Sequence, residues 1–146
     1  MIIKYKHDVT EQEWLTLRSE LWPDCPAQKH IDEIRDIIRN PALNAFFLCT
    51  GDSPAVAFAE AAIRKDYVNG CSTSPVAFLE GIYCKEAVRR QGFAGRLTGQ
   101  IKAWGATNGC RELASDTSPE NTASQQLHQA LGFRETERVI FYCQSI

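Results

Sequence analysis

Arg89-Arg90-Gln91-Gly92-Phe93-Ala94-Gly95 constrains this chain most, because it forces a strand, a tight turn and a helix into direct succession. Before it, Val76-Ala77-Phe78-Leu79-Glu80-Gly81-Ile82-Tyr83-Cys84 reads as a strand; after it, Leu97, Ile101 and Trp104 recur at helical spacing. Gly92, Ala94 and Gly95 let backbone come close to a ligand, and the first-turn amides of the helix point outward unpaired. Arg89 and Arg90 add positive charge beside them. The segment therefore predicts an anion-binding turn. A plain strand-to-helix connection uses the same residue types, so the rest of the chain has to decide.

The flanking elements follow from periodicity and punctuation. Ile2 to Lys6 is a short strand. Thr10 caps a helix, with Glu13 completing a capping box and Val9, Trp14, Leu17 and Leu21 on the apolar face. Trp22-Pro23-Asp24-Cys25-Pro26 breaks the chain. A second helix buries Ile31, Ile34, Ile37 and Ile38 and ends near Asn40-Pro41. Strands over Asn44 to Thr50 and Ala55 to Arg64 flank the turn Gly51-Asp52-Ser53-Pro54, and Asn69-Gly70 turns the chain into the strand at 76–84. The helix after the glycine turn runs to about Asn108-Gly109, and Cys110 to Ser115 is a short strand. Ser118-Pro119 opens a helix that Gly132 stops, and Phe133 to Cys143 closes the sheet as a last strand. The fold class is α/β in the α+β sense, with one mixed sheet and no doubly wound arrangement.

Composition excludes several classes of function. With 146 residues, 44% hydrophobic, residues 1–146 are expected to form one domain with a real core. A net charge of -2 gives no electrostatic footprint for nucleic acid. No apolar run reaches membrane-spanning length, and the polar start Met1 to His7 does not read as a signal peptide, so the expected location is the cytoplasm. The six cysteines are spread evenly, with no CxxC pair and no histidine at ligand spacing. Cys49, Cys84, Cys110 and Cys143 lie in or next to apolar stretches and are expected as free thiols, with no metal site.

Two segments resemble the GNAT superfamily of N-acetyltransferases. Arg89-Arg90-Gln91-Gly92-Phe93-Ala94 is similar to its pyrophosphate-loop pattern, Arg/Gln-x-x-Gly-x-Gly/Ala. Asn121-Thr122-Ala123-Ser124-Gln125-Gln126-Leu127-His128-Gln129-Ala130-Leu131-Gly132-Phe133 resembles the family's Asn-x-x-Ala-x-x-Leu-Tyr-x-x-x-Gly-Phe signature. The resemblance implies a mixed, mostly antiparallel central sheet flanked by about four helices, splayed between its fourth and fifth strands to admit acetyl-CoA. The pyrophosphate would rest on Arg89, Arg90, Gln91, Gly92, Phe93, Ala94 and Gly95. The pantetheine would align with Ile82, Tyr83 and Cys84 as an added strand and meet Asn121 from the facing helix. Where the family often has a tyrosine, this chain has His128, which either protonates the departing thiolate or only packs at the helix face.

Within the superfamily the chain most resembles aminoglycoside 6'-N-acetyltransferases, on scattered residues: Trp22-Pro23-Asp24, Tyr67, Glu80, Ser115-Asp116-Thr117 and Glu137. That implies a polycationic acceptor, held by carboxylates and a flat apolar wall. Asp116 and Glu80 are the candidate bases; the alternatives are a turn-forming Asp and a salt-bridged Glu. Glu137 is a third cation-binding candidate or part of a solvated strand face. Trp22 either stacks on a sugar or marks the core edge, Asp24 either binds substrate or caps the next helix, and Tyr67 is a further contact. His7 and His30 read as surface residues. A homodimer is expected, with Val139-Ile140-Phe141-Tyr142-Cys143 as a strand that pairs across the interface or within the chain.

Overall fold

A computed structural model describes residues 1–146. The elements run β1 (Ile2–Tyr5), α1 (Glu11–Leu21), α2 (Ala27–Arg39), β2 (Leu43–Cys49), β3 (Ala55–Arg64), β4 (Val76–Cys84), a 3-10 turn (Glu86–Val88), α3 (Phe93–Thr107), β5 (Leu113–Ser115) and α4 (Thr122–Ala130). The five strands form one sheet in the order β1-β2-β3-β4-β5. All neighbours are antiparallel except the parallel pair β4 and β5. The mixed, mostly antiparallel sheet with four helices is the architecture that the sequence predicts.

Both sheet faces are covered, which is why β2 and β3 read as nearly continuous apolar runs. Alternation along β2 sends Phe47 and Cys49 to the face covered by α1 and α2, where they join Trp14, Leu17, Ile34, Ile37 and Phe58. Phe46 and Leu48 point the other way, into α3, with Leu97, Ile101 and Phe93. Each large apolar side chain buried in this way contributes roughly 1.5–3 kcal/mol. The alanines of β3 on the α3 side, Ala57, Ala59 and Ala61, let that helix lie close to the sheet.

Irregular pairing matters more for the site than the regular sheet does. Glu60 pairs with Gly81 while Ala61 pairs with Leu79, so Glu80 is the extra, bulged residue of β4. A bulge bends the strand and re-aims the side chain it carries. On its other edge β4 pairs with β5 only through Ala77↔Leu113, Phe78↔Ala114 and Leu79↔Ser115. From Glu80 onward that edge has no neighbouring strand.

Four expectations are corrected. Phe133 to Cys143 forms no strand, and no backbone group after Phe133 is hydrogen bonded. Its pattern suits a strand, but the segment hydrogen bonds to neither open edge of the sheet. The last helix starts at Thr122 and not at Ser118-Pro119, because Ser118 to Glu120 close a turn (Asn121 N–H to Ser118 C=O, 3.1 Å). Asn121 is the cap, its Oδ1 accepting from Ser124 N–H at 3.0 Å. Thr10 caps α1 through Glu13 N–H at 3.1 Å, yet the Glu13 carboxylate turns away to Ala55 N–H, so the capping box is half formed. His30 is not a surface residue: it is 1% exposed, packed under Trp22.

Candidate functional site

The donor side is built from backbone. The first helical bond of α3 runs from Arg96 N–H to Gly92 C=O at 3.1 Å, and none of the N–H groups from Gln91 to Gly95 has a protein acceptor. Gly92 holds φ at +79°, and Arg90 sits at +60°, a conformation that costs a non-glycine residue energy. A Cβ at Gly92 would meet nothing within 4 Å, so the cradle is open to solvent. Row after row of free amides beside Arg89 and Arg90 suits a pyrophosphate, through the dipole and direct donors alike.

The open edge of β4 leads away from that cradle. Lys85 N–H donates to Val56 C=O of β3 at 2.9 Å. Alternation along the strand therefore turns the Cys84 N–H, and two residues back the Ile82 N–H, to the open side. Arg89 Nε donates to the Cys84 carbonyl at 3.0 Å, and its guanidinium lies 5.8 Å from the Tyr83 ring centroid. Free strand amides followed by free helix amides fit the amide-bearing arm and pyrophosphate of CoA. Burial pushes the Cys84 thiol above its ordinary range, against the opposing pull of Arg89. It stays protonated, which disfavours a covalent cysteine intermediate.

Glu80 and Asp116 stand where β4 and β5 part. Both follow the last parallel pair, Leu79↔Ser115, so the splay carries a carboxylate on each lip. Glu80 is exposed by the bulge and paired with Arg64 Nη2 at 2.8 Å, the alternative that the sequence left open. Asp116 is exposed and has no protein partner. On α4, His128 Nδ1 lies 2.7 Å from the Ser124 carbonyl, and its Nε2 lies 2.7 Å from Ser115 Oγ, which also reaches Leu79 C=O at 3.1 Å. The Ser124 carbonyl can only accept, so Nδ1 carries a proton.

Between α1, α2 and the sheet lies a cavity of about 730 Å³ lined by Trp22, Asp24, Glu33, Asp36, Glu60 and Glu80 among others. Five carboxylates there face two cationic side chains, Arg18 and Lys29. That balance attracts a polycation. A second cavity, about 410 Å³, is lined by Lys6, His7 and Arg39 and holds no carboxylate. Trp22 packs on the core edge through Phe58 (6.4 Å between centroids) and also lines the cavity. A Cβ on Gly81 would come 2.5 Å from Trp22 Cζ2, so only glycine lets the indole lie against β4. Asp24 caps nothing: Pro26 holds the N-cap position of α2, without a side-chain bond.

Tyr67 and Glu137 do not join this group. Tyr67 is 74% exposed in the β3–β4 connection, and Glu137 lies on the exposed C-terminal segment, whose Thr136 rests against Gly70. The sequence reading missed Arg18, Glu33, Asp36 and Glu60. Glu60 had a usable signal: a lone carboxylate inside Ala55-Val56-Ala57-Phe58-Ala59-Glu60-Ala61-Ala62, as isolated as Glu80 in its strand. It is 3% exposed, and burial pushes its carboxyl up to about 7, with Arg18 and the Trp14 N–H pulling the other way.

Residues 8–133 match the Acetyltransferase (GNAT) family model. The chain is 54% identical over 142 residues to aminoglycoside N(6')-acetyltransferase type 1 of Serratia marcescens, covering 97% of both chains. Among solved structures it resembles AAC(6')-Iy in complex with the bisubstrate analogue CoA-S-monomethyl-acetylneamine, with a TM-score of 0.89, 45% identity and full coverage of both chains. It also resembles the apo 6'-N-acetyltransferase AAC(6')-IG of Acinetobacter haemolyticus, with a TM-score of 0.93 and 38% identity, covering 100% of this chain and 99% of that one. With a free amide cradle behind an open strand edge, and relatives matched along nearly its whole length, the chain belongs to the GNAT family of acetyltransferases.

Proposed function

We propose that this chain transfers the acetyl group of acetyl-CoA to the 6'-amino group of aminoglycoside antibiotics, which confers resistance. The observation that carries the acceptor is the cavity that opens on Trp22 and Glu80 and holds carboxylates in excess. An aminoglycoside presents several ammonium groups on sugar rings, and a carboxylate-lined cavity with one aromatic wall matches that chemistry. Residues 1–146 act as one acetyltransferase domain, and the free thiols suit the reducing cytoplasm.

Acetyl-CoA, when bound, supplies the acetyl group and leaves as the thiol. Gln91 to Gly95, with Arg89 and Arg90, hold its pyrophosphate; Ile82, Tyr83 and Cys84 align its arm, and Asn121 approaches it through the amide group left free by capping. The Cys84 N–H, turned to the open edge, polarises the acetyl carbonyl. Asp116 takes the proton that the attacking amine loses, and Glu80 fixes the substrate's charge at the opposite lip; the reverse assignment has the same geometry. His128 in its doubly protonated form gives its Nε2 proton to the departing sulfur and is left as the neutral ring with Nδ1–H on the Ser124 carbonyl. In the doubly protonated form Nε2–H also donates to Ser115 Oγ, whose own hydroxyl donates to Leu79 C=O. Asp24, which lines the cavity, supplies an outer contact to the polycation.

The test is acetyl-CoA turnover with kanamycin, tobramycin, a polyamine and a peptide N-terminus. Saturable thiol release with the aminoglycosides alone is expected. Release with the polyamine or peptide and none with the antibiotics would move the activity to another amine.

A homodimer accounts for the C-terminal segment. Phe141 and Tyr142 are 88% and 90% exposed, beside Ile140 and Val139. β5 is an edge strand of the sheet, and the open edge of a second copy is a partner for this unpaired segment. Sedimentation should give a dimer, and Phe141→Ser with Tyr142→Ser a monomer; a monomeric native chain would remove this assignment.

A further inference from the structure

Beneath the acceptor cavity lies a buried polar network to which no role has been given. Arg18 on α1 is 3% exposed in the middle of it. Its Nη2 donates to Glu33 Oε2 at 2.6 Å and lies 3.3 Å from Glu60 Oε2; its Nη1 donates to the His30 carbonyl at 3.1 Å; its Nε lies 3.0 Å from Glu60 Oε1. Trp14 Nε1 donates to the same Glu60 oxygen at 2.7 Å. The guanidinium sits 4.9 Å from the Trp22 ring centroid, and His30 stacks on Trp22 at 6.4 Å while its Nε2 donates to the Trp22 carbonyl at 3.2 Å.

This geometry points to a positioning role for Arg18 in acceptor binding: anchored on Glu60 below, it fixes the Trp22 ring and the Glu33 carboxylate on the cavity wall. The assignment rests on the aminoglycoside reading of that cavity. Glu33 is half-exposed, with Oε2 held by Arg18 and Oε1 bonded to nothing in the protein. It is therefore a carboxylate held at one oxygen and open at the other, suited to a substrate ammonium. Trp22 has no comparable freedom, because Arg18, His30, Phe58 and Gly81 hold it from separate directions.

An arginine is required for this. Its planar fork reaches three acceptors at once while its face meets an indole, and a lysine ammonium matches neither. Removing Arg18 alone would strand Glu60 in the core, where an unpaired charge is costly. The conservative Arg18→Lys and the double variant Arg18→Met/Glu60→Gln each avoid a bare buried carboxylate. Glu33→Gln, half-exposed, leaves the core untouched.

Steady-state kinetics with tobramycin and acetyl-CoA, on variants whose circular dichroism and melting are two-state, tests the assignment. A pure stability defect lowers active enzyme and hence kcat, leaving both KM values in place. Loss of positioning raises the tobramycin KM by about tenfold in Arg18→Lys and in the double variant, roughly the effect of one lost charged contact, with the acetyl-CoA KM unmoved. Glu33→Gln should show a smaller rise of the same kind, and Trp fluorescence on tobramycin binding should weaken in the Arg18 variants alone. Unchanged tobramycin KM in folded variants, or an equal rise in both KM values, overturns the role of Arg18 while the activity stands. A native enzyme that turns over no aminoglycoside overturns both together.

Discussion

The donor cradle and the acceptor cavity are neighbours built by opposite means. The cradle is one contiguous segment in which backbone does the binding: free amides from Gln91 to Gly95, an open strand edge from Glu80 to Cys84, and a glycine at φ +79°. The cavity is assembled from α1, α2, β3 and β4, and its floor is made of side chains held by other side chains, with Arg18 bonded to Glu33 and Trp14 to Glu60. Backbone recognition tolerates most substitutions and fails at the few that alter the chain path. Side-chain recognition spreads its tolerance and its vulnerability over many residues.

The sharpest break between the two should come at the lip they share. Asp116→Asn keeps shape and removes the proposed proton acceptor. Loss of a general base lowers kcat by on the order of 10²–10⁴-fold, while acetyl-CoA affinity by titration calorimetry stays the same. Unaltered turnover would take Asp116 out of the chemistry and leave Glu80, despite its Arg64 partner, as the base.

Next in size is Gly92→Asp. Space is not the obstacle, since a Cβ there meets nothing within 4 Å; the obstacles are the left-handed φ and a negative charge set among phosphate-binding amides. Strain of about 1 kcal/mol or more plus lost anion attraction should weaken acetyl-CoA roughly a hundredfold, with aminoglycoside affinity barely moved. If calorimetry shows equal loss for both ligands, the two sites are not separable in the way their construction suggests.

These differences also set what could be read from sequence. The cradle was legible because its physics is local: glycine, small residues and arginines between a strand and a helix. The bulge at Glu80 was not, because it depends on how β3 and β4 pair, and a carboxylate in an apolar strand looks the same bulged outward or buried inward. Glu60 and Glu80 demonstrate this, being equally isolated in sequence yet 3% exposed in one case and salt-bridged at the surface in the other. His30 looked superficial among the polar residues of α2, and only the packing of Trp22 buries it. The C-terminal run has the residue pattern of a strand, and pattern alone gave no hint that it pairs with no edge of its own sheet.

The smallest expected effect concerns Glu60, and it turns on the direction of a proton equilibrium. Burial raises its carboxyl from an ordinary 4.5 to about 7, so between those values the folded chain holds a proton that the unfolded chain has released. Protonated Glu60 therefore adds its full share of stability below about pH 4.5, and that share is lost as pH rises through about 7. The charged groups that face it are Arg18, which pulls the value down, and Glu33, which pushes it up. Glu60→Gln is neutral throughout and should flatten this descent. Native and variant melting curves, recorded from pH 5 to 8, should diverge by a few degrees, since each kcal/mol moves Tm by roughly 2–4 °C in a chain of this size. Parallel curves would mean that Arg18 keeps the carboxylate ionised at every pH, making the floor of the acceptor cavity a fixed ion pair. A growing gap would mean that the cavity gains negative charge in the range where aminoglycoside amines begin to lose theirs, and the acceptor side, unlike the backbone-built cradle, would then be tuned by pH.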